Sequence, residues 1–590
     1  MSNSSFQRNH FERKNQMFCA NNYQIPLIDA LDQMPNYLRR LLEKGWTRDF
    51  HEKIFPYINE QRFAVLYSKN PASRPNSPVN VIVGLLILKE VMQLSDEDLI
   101  GSLHFDARYQ YALNTMNLPV QPVSINTLTN FRERLAKYLT ETGIDLIQQE
   151  VEDLSERIAG YLRIDRQLLR MDSLMISSSC KKLSRIELVY SVNHCLIKTL
   201  NKLSPEAIPE NCKGYLEKGH KNETIYRTRD QEADSKLETL IKQAEALYLA
   251  GMAAGEKVTS SKAFAILSRF IKEQTVPREG GGLIPKPGKE IASESLQNPT
   301  DPDATYRQKY GANIGYTGNI VNAYDGKNQV ILQYDLEPNT YSDQKFAEDT
   351  IKALSQNKRN PAAEKTNLIV DGAYYSDKLA QTASSHNINL VPGELTGAKP
   401  NPNKLGYDQF KIDEETHQVK ECPGGQTPDK AYYDVKGKCY TVKMSPEKCV
   451  TCPLQDSCPM KPQKKMNVAY FSEKRYRTDQ LRTKMDTEEY RKLANSRAGV
   501  EGIPSVLRRR YRVDEMPIRG LVRSKIWFGF KIAAINFKSL VKGSRQMAKE
   551  HLFRFYAVIK EQANGGYWKF NAVFRIIETF KSKYNLVFVG

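Results

Sequence analysis

Long hydrophobic runs are missing from this chain. The longest apolar stretch is Val81-Ile-Val-Gly-Leu-Leu-Ile-Leu88, far short of the roughly 20 residues a membrane-spanning helix needs. The first residues, among them Ser2, Asn3, Arg8, His10, Glu12, Arg13 and Lys14, are polar and mixed in charge. They lack the apolar centre of a signal peptide, so residues 1–26 are expected to form a flexible start to a cytoplasmic protein with no membrane partner. Cysteine is scarce outside one region: five of the 9 lie between Cys422 and Cys458. An odd count clustered in this way excludes a disulfide framework and points to a reducing cytosol and a metal site. Acid is in deficit: 68 Asp and Glu face 86 Lys and Arg.

The 590 residues, 40% hydrophobic and 26% charged, suit a folded chain of several domains with a large core. A formal charge of +18 and a pI near 9.2 call for an anionic partner, of which nucleic acid is the usual one.

From Leu27 to Tyr138 the apolar spacing is helical. Pro78 to Leu94 reads as one strongly apolar helix, with Ser95-Asp-Glu-Asp98 capping the next. Ser124 to Leu135 reads as a capped helix whose exposed face carries Asn126, Thr127, Asn130, Arg132 and Arg134. Such helices suit a helix-turn-helix-like DNA-binding module, with an ordinary bundle as the alternative. A strand is expected near 168–176 with Asp172 inside it. An acid there is costly unless paired or holding a cation. Residues 178–275 are helical and carry no catalytic pattern, and His194, Cys195 and Cys212 read as packing residues. Gly280-Gly-Gly282 and Pro285-Lys-Pro287 mark a loop.

Strands return at Gly315–Tyr324 and Gln329–Tyr334 across the turn signal Asp325-Gly326. Asp343–Leu354 reads as a helix. Asn367-Leu-Ile-Val-Asp371 reads as a buried strand ending in an acid, with Ser376 or Asp377 capping the next helix and Ile388–Val391 as a further strand. The order predicts a mixed α/β sheet, and α/β sheets place their chemistry at the carboxyl ends of strands.

Cys449-Val-Thr-Cys452, with Cys458 after it and Cys422-Pro-Gly-Gly425 before it, has the spacing of a tetrahedral thiolate site. Structural Zn2+ is the favoured reading, with Cys439 as a competing fourth ligand and an iron–sulfur cluster or free thiols as alternatives. Beyond Lys464 the chain turns basic. Arg497, Glu501 and Arg508 are spaced to share one helical face, which Pro504 interrupts. Arg508, Arg509, Arg510, Arg512, Arg519 and Arg523 follow closely, a density of like charge that phosphates would neutralise. Ile532–Leu540 reads as an amphipathic helix.

Three acids stand out: Asp172, Asp371 and Glu501. Two carboxylates on neighbouring strands and a third on a facing helix suit two Mg2+ ions, with Mn2+ as the substitute, and in-line phosphoryl transfer. The adjacent arginines would bind phosphates.

The chain resembles bacterial insertion-sequence transposases of the DD(E) type with an RNase H-like core, in the group named for insertion sequence eleven-eighty-two. The resemblance is carried by Pro78–Leu94 with Ser95-Asp-Glu-Asp98, Ser124–Leu135, Met171-Asp-Ser173, Asp301-Pro-Asp-Ala304 with Gly315-Tyr316, Val370-Asp-Gly-Ala-Tyr374, the cysteines, Arg497-Ala-Gly-Val-Glu501, Arg519-Gly520 and Ala533–Asn536. It implies that Asp172, Asp371 and Glu501 are the catalytic, metal-binding triad, and that the protein cleaves transposon ends and joins them to target DNA. In related transposases a Tyr, Arg, Glu, Lys signature surrounds the glutamate. Arg497 and Glu501 match it, Arg508 stands for the lysine and Ala494 for the tyrosine. Leu174 stands where a small polar residue is usual.

The expected organisation is a helical DNA-binding domain at 27–160 and an RNase H-like core over 161–395 with a helical insertion at 178–300. A cysteine-rich insertion at 396–470, a basic segment and helix at 471–545, and a C-terminal extension at 546–590 complete it. The expected partners are the terminal inverted repeats, target DNA and further copies of the chain, in association with the nucleoid. Two alternatives stay open at this point: a transposase-derived repressor or architectural protein without catalysis, and an RNase H-like nuclease without strand transfer.

Overall fold

The computed structural model describes residues 16–20, 30–70, 72–118, 120–226, 232–309, 311–356, 365–396, 400–413 and 415–564. Most of the expected flexible start, and the C-terminal residues beyond 564, lie outside them.

Helix α1 (Val79–Met92) is buried almost all round, as its unbroken apolar sequence requires. Ser95 caps α2 (Asp96–Phe105) by accepting from the Asp98 N–H, and Ser124 and Thr127 form a reciprocal capping box on α3 (Ile125–Thr142). Helix α4 (Leu146–Leu162) leads into strand β1 (Leu168–Ser177). Helices α5 (Arg185–Leu203), α6 (Ala233–Ala253) and α7 (Lys262–Gln274) enclose a core that includes Leu196, Cys212 and Leu267. Cys212 is thus a packing residue, as the sequence suggested. The glycine-rich loop closes a short hairpin, Thr275–Pro277 against Leu283–Pro285.

Strands β2 (Thr305–Gln308), β3 (Ala312–Tyr324) and β4 (Gln329–Pro338) follow, then α8 (Asp343–Gln356), β5 (Thr366–Val370), α9 (Asp377–Ser385) and β6 (Ile388–Pro392). Four strands, β7 (Lys430–Asp434), β8 (Cys439–Met444), β9 (Lys461–Pro462) and β10 (Asn467–Ser472), make a separate antiparallel sheet in the order β7-β8-β10-β9. Helices α10 (Glu473–Met485), α11 (Glu488–Asn495), α12 (Gly502–Arg509) and α13 (Leu521–Asn564) complete the described chain.

Two units divide these elements. The first takes Met1–Arg166, Ser173–Ser342 and Ile503–Gly590; the second takes Gln167–Asp172 and Asp343–Gly502. In the first, β3 pairs antiparallel with β4 and β2, and the residues after β1 reach β3 through the Ser178 N–H and the Ile314 carbonyl at 2.9 Å. Helix α13 was expected to be amphipathic over Ile532–Leu540. Instead every residue from Phe528 to Phe537 is buried. The reason is packing on several sides: Phe537 meets the Phe50 ring edge-on, Lys531 pairs with Glu90 of α1, and Asn536 exchanges hydrogen bonds with both backbone groups of Ile331 in β4.

In the second unit, the first half of β1 pairs in parallel with β5, and β5 in parallel with β6. Strand β1 therefore has one parallel neighbour, β5, over Leu168–Arg170, and the chain enters the first unit at Ser173. No helix among the described residues is long and apolar enough to cross a membrane.

Candidate active site

Asp172 and Asp371 occupy equivalent places on adjacent strands. The last paired residues of β1 and β5 are Arg170 and Ile369, and each acid follows two residues later. Parallel neighbours lie about 4.8 Å apart and side chains alternate, so both acids leave the sheet on the face that carries Arg170 and Ile369. On that face Ile369 packs with Val391 and with Tyr490 of α11. Asp371 directly follows β5 and accepts from the Gly372 N–H at 2.7 Å, while Ser376 caps α9 by accepting from the Leu379 N–H. Asp371 therefore starts a turn and also stands at a strand end.

Arg497 links two of the predicted acids. Its Nη2 lies 3.9 Å from Asp371 Oδ2 and its Nη1 lies 3.7 Å from Glu501 Oε1. The arginine side chain is 18% exposed, against 35% for Asp371 and 64% for Glu501. Its Nε is buried and has no hydrogen-bond partner among the described residues. Arg497, expected to face DNA, is thus seated between carboxylates. Arg497, Glu501 and Arg508 were expected on one helical face, and they are not on one helix. Arg497 sits in a 3-10 turn (Ser496–Gly499), Glu501 follows it, and Arg508 lies in α12. Gly499, Gly502 and Pro504 supply the break.

One residue of this region escaped the sequence reading. Arg170, two positions before Asp172, is fully buried, and its Nη1 donates to the Ser496 carbonyl at 2.9 Å. A Cβ added to Gly499 would overlap that same nitrogen. The side chain thus holds the turn that carries Arg497 and precedes Glu501. The signal available in sequence was a cation in the middle of a strand, as anomalous there as the acid beside it.

The cysteines also draw together. Cys422 heads a turn closed by the Gly425 N–H on its carbonyl at 2.8 Å, and the Cys452 N–H donates to the Cys449 carbonyl at 3.1 Å. Measured from the Cβ position of Gly424, both the Cys422 and the Cys452 sulfur lie within 4 Å. Burial pushes the Cys458 thiol up, and Cys422, Cys449 and Cys452 add to the effect. Cys439, the competing ligand, sits on β8 and donates to the Gly437 carbonyl at 3.2 Å. Among the described residues no group of three or more His, Cys, Asp or Glu is arranged to hold a metal ion.

In the first unit several predicted DNA contacts are already engaged. Arg132 gives both terminal nitrogens to Asp96, at 2.6 and 2.9 Å, which holds that carboxyl far below the usual range. Arg134 lies over the Tyr67 ring at 4.8 Å, and Asn130 is half-buried. Arg519 bonds Ser179, and Arg508 approaches Asp514 at 3.5 Å and donates to the Met175 carbonyl. Arg509, Arg510, Arg512 and Arg523 are exposed. The Asp301-Pro-Asp-Ala304 motif braces the fold. Buried Asp301 accepts from Ser178, Tyr316 and the Gly520 N–H, and Asp303 accepts from the Leu521 N–H at the start of α13.

Two family matches bear on these features. Residues 421–541, which hold the cysteines, Arg497 and Glu501, match the Transposase DDE domain. Residues 39–134 match the Transposase domain (DUF772). The chain belongs to the insertion-sequence transposases of the DDE type. No curated protein and no solved structure matches it. The transposase is accordingly an enzyme of the nuclease and transferase kind whose substrate is DNA. Of its three predicted acids, Glu501 lies inside the DDE-domain match, while Asp172 and Asp371 precede it.

Proposed function

We propose that the transposase cuts the ends of its own element and joins them to target DNA with two divalent ions, Mg2+ or Mn2+, held by Asp172, Asp371 and Glu501. The single observation that carries this reading is the matched position of Asp172 and Asp371, two residues beyond Arg170 and Ile369. The donor chemistry fits: carboxylate oxygens suit hard cations, and Asp371 and Glu501 are both partly open to solvent. When bound, the ions would supply a more acidic nucleophile and stabilisation for the leaving oxygen. Arg497 would hold Asp371 and Glu501 in place between their loaded states, and Arg170 would fix the turn on which Arg497 sits. The exposed Arg509, Arg510, Arg512 and Arg523, with Arg508 and Arg519, would bind the DNA backbone. An RNase H-like core agrees with the parallel pairing of β1 with β5 and of β5 with β6.

Cys422, Cys449, Cys452 and Cys458 would hold a structural Zn2+; four thiolates are its usual ligand set. The transposase would work as a dimer or higher oligomer on the two element ends, in the cytoplasm at the nucleoid.

The test uses Asp172→Asn, Asp371→Asn and Glu501→Gln proteins with DNA carrying the element's ends and Mg2+. Each variant should bind the DNA like the parent and neither nick nor join it. Cleavage that survives in any of the three removes that residue from the triad. Nicking without joined products in the parent protein would make it a nuclease.

A further inference from the structure

The sheet beside the cysteines has one face covered and one face open. Its covered face contributes Tyr440, Val442, Met444, Ala469 and Phe471 to a core. Strand alternation sends the intervening residues the other way. Register lines them up in rows. Tyr432 of β7 stands opposite Thr441 of β8, and Thr441 opposite Tyr470 of β10. One row further, Lys430 faces Lys443, Lys443 faces Val468, and Val468 faces Lys461 of β9. Tyr432 is 53% exposed and Tyr470 66%. The Lys443 ammonium lies 5.7 Å from the centre of the Tyr432 ring.

This arrangement is unfavourable for the chain by itself. Like charges directly opposite on neighbouring strands repel, and Lys430 faces Lys443. Two tyrosine rings left in water give up the burial that their size would bring. Neither row holds an acid; Asp434 stands in the next row, opposite Cys439, and its Oδ1 accepts from the Lys436 N–H at 3.0 Å. The face therefore presents flat aromatic surface edged by positive charge, the combination that binds an unpaired nucleic-acid strand: bases stack on the rings and phosphates meet the lysines. Two strand spacings separate Tyr432 from Tyr470, about 10 Å, which leaves each ring a base of its own.

We propose that this open sheet face is a binding site for single-stranded DNA, with Tyr432 and Tyr470 as stacking platforms and Lys430, Lys443 and Lys461 as phosphate contacts. This rests on the transposase reading: strands cut at staggered positions expose unpaired nucleotides, which such a face would hold. The face lies outside the proposed triad, so its test is independent of the metal reading.

The experiment measures binding of the full-length protein, without divalent ions, to a fluorescein-labelled single-stranded oligodeoxynucleotide of mixed sequence and to the blunt duplex of that sequence. The Tyr432→Ala, Tyr470→Ala double variant should lose at least about tenfold in single-strand affinity, with duplex affinity and circular dichroism unchanged. The Tyr432→Phe, Tyr470→Phe pair should restore binding, since stacking needs the ring and not the hydroxyl. Changing Lys430, Lys443 and Lys461 to Gln should reduce the salt slope of single-strand binding by about 2. Unchanged single-strand affinity in the alanine pair overturns the proposal. So does an equal loss on the duplex, or a change of oligomeric state with strand binding intact, which would make the face a contact between copies.

Discussion

Arg170 donates from Nη1 to the carbonyl of Ser496 at 2.9 Å, from a side chain with no exposure to solvent. The bond ties the strand that carries Asp172 to the turn that carries Arg497. In the proposed triad, a group so placed would govern geometry two steps away from the chemistry. An error of about 1 Å in such placement costs on the order of 100-fold in rate.

Arg170→Lys should therefore lower end cleavage by about 100-fold while leaving affinity for end DNA within a factor of about three. Lysine keeps the charge and loses the planar fork. Gly499→Ala should do the same, since its Cβ would displace the same nitrogen. Cleavage and binding measured on one preparation decide it. A parallel fall in both would reduce Arg170 to a general structural residue.

Arg497 stands where a cation between Asp371 and Glu501 would compete with it. Ion pairs this open are worth up to about 1 kcal/mol, or roughly fivefold in affinity. Arg497→Ala should then bind Mn2+ about fivefold more tightly than the parent in the absence of DNA, read by electron paramagnetic resonance of free Mn2+. Weaker Mn2+ binding in the variant would mean that Arg497 organises the two acids for the ion rather than standing in its way.

Much of this site was legible in the sequence because its signals are local. Leu368, Ile369 and Val370 ending at Asp371 announce a buried strand with an acid at its tip, and Ser376 announces the helix cap. Asp172 was legible as an acid in a strand. What was not legible depends on pieces of chain far apart in sequence. The match between Arg170 and Ile369 comes from a pairing across 199 positions, which no spacing rule reaches. Arg497 reads as one more cation of a basic stretch until the fold sets it beside Asp371. The stretch Ile532–Leu540 looked two-faced because Asn536 reads as a residue bound for water. It is buried instead, bonded to the Ile331 backbone.

The proposed zinc site takes Cys422, Cys449, Cys452 and Cys458 and leaves Cys439 apart, and metal content should follow that division. The parent protein should carry close to one zinc per chain. Cys452→Ser should lose it and melt several degrees lower, because the ion's binding energy stabilises only the folded region. Cys439→Ser should keep both the zinc and the melting temperature, since that thiol, on β8, donates to the Gly437 carbonyl. Elemental analysis and thermal denaturation read the two outcomes. Zinc retained by Cys452→Ser would exclude the four-thiolate site.

Glu152 of α4 should make the first unit weaken in alkaline solution. Burial raises its carboxyl from 4.5 to about 8, against the hydrogen bonds from Gln148 and with Asp335 and Asp145 adding to the rise. The folded state thus holds a proton that the unfolded chain releases. The associated stability is complete below about pH 4.5 and is lost as pH climbs through about 8. Gln148, which also donates to the Tyr334 carbonyl at 2.7 Å, fixes the carboxyl against β4, so its charging cannot be relieved by a simple swing into water. Glu152→Gln removes the titration and keeps the shape. Between about pH 6 and pH 9 the parent's melting temperature should fall by several degrees more than that of the variant, the equivalent of about 2–3 kcal/mol. Parallel melting curves over that range would show that Glu152 is ionised in the folded protein at neutral pH.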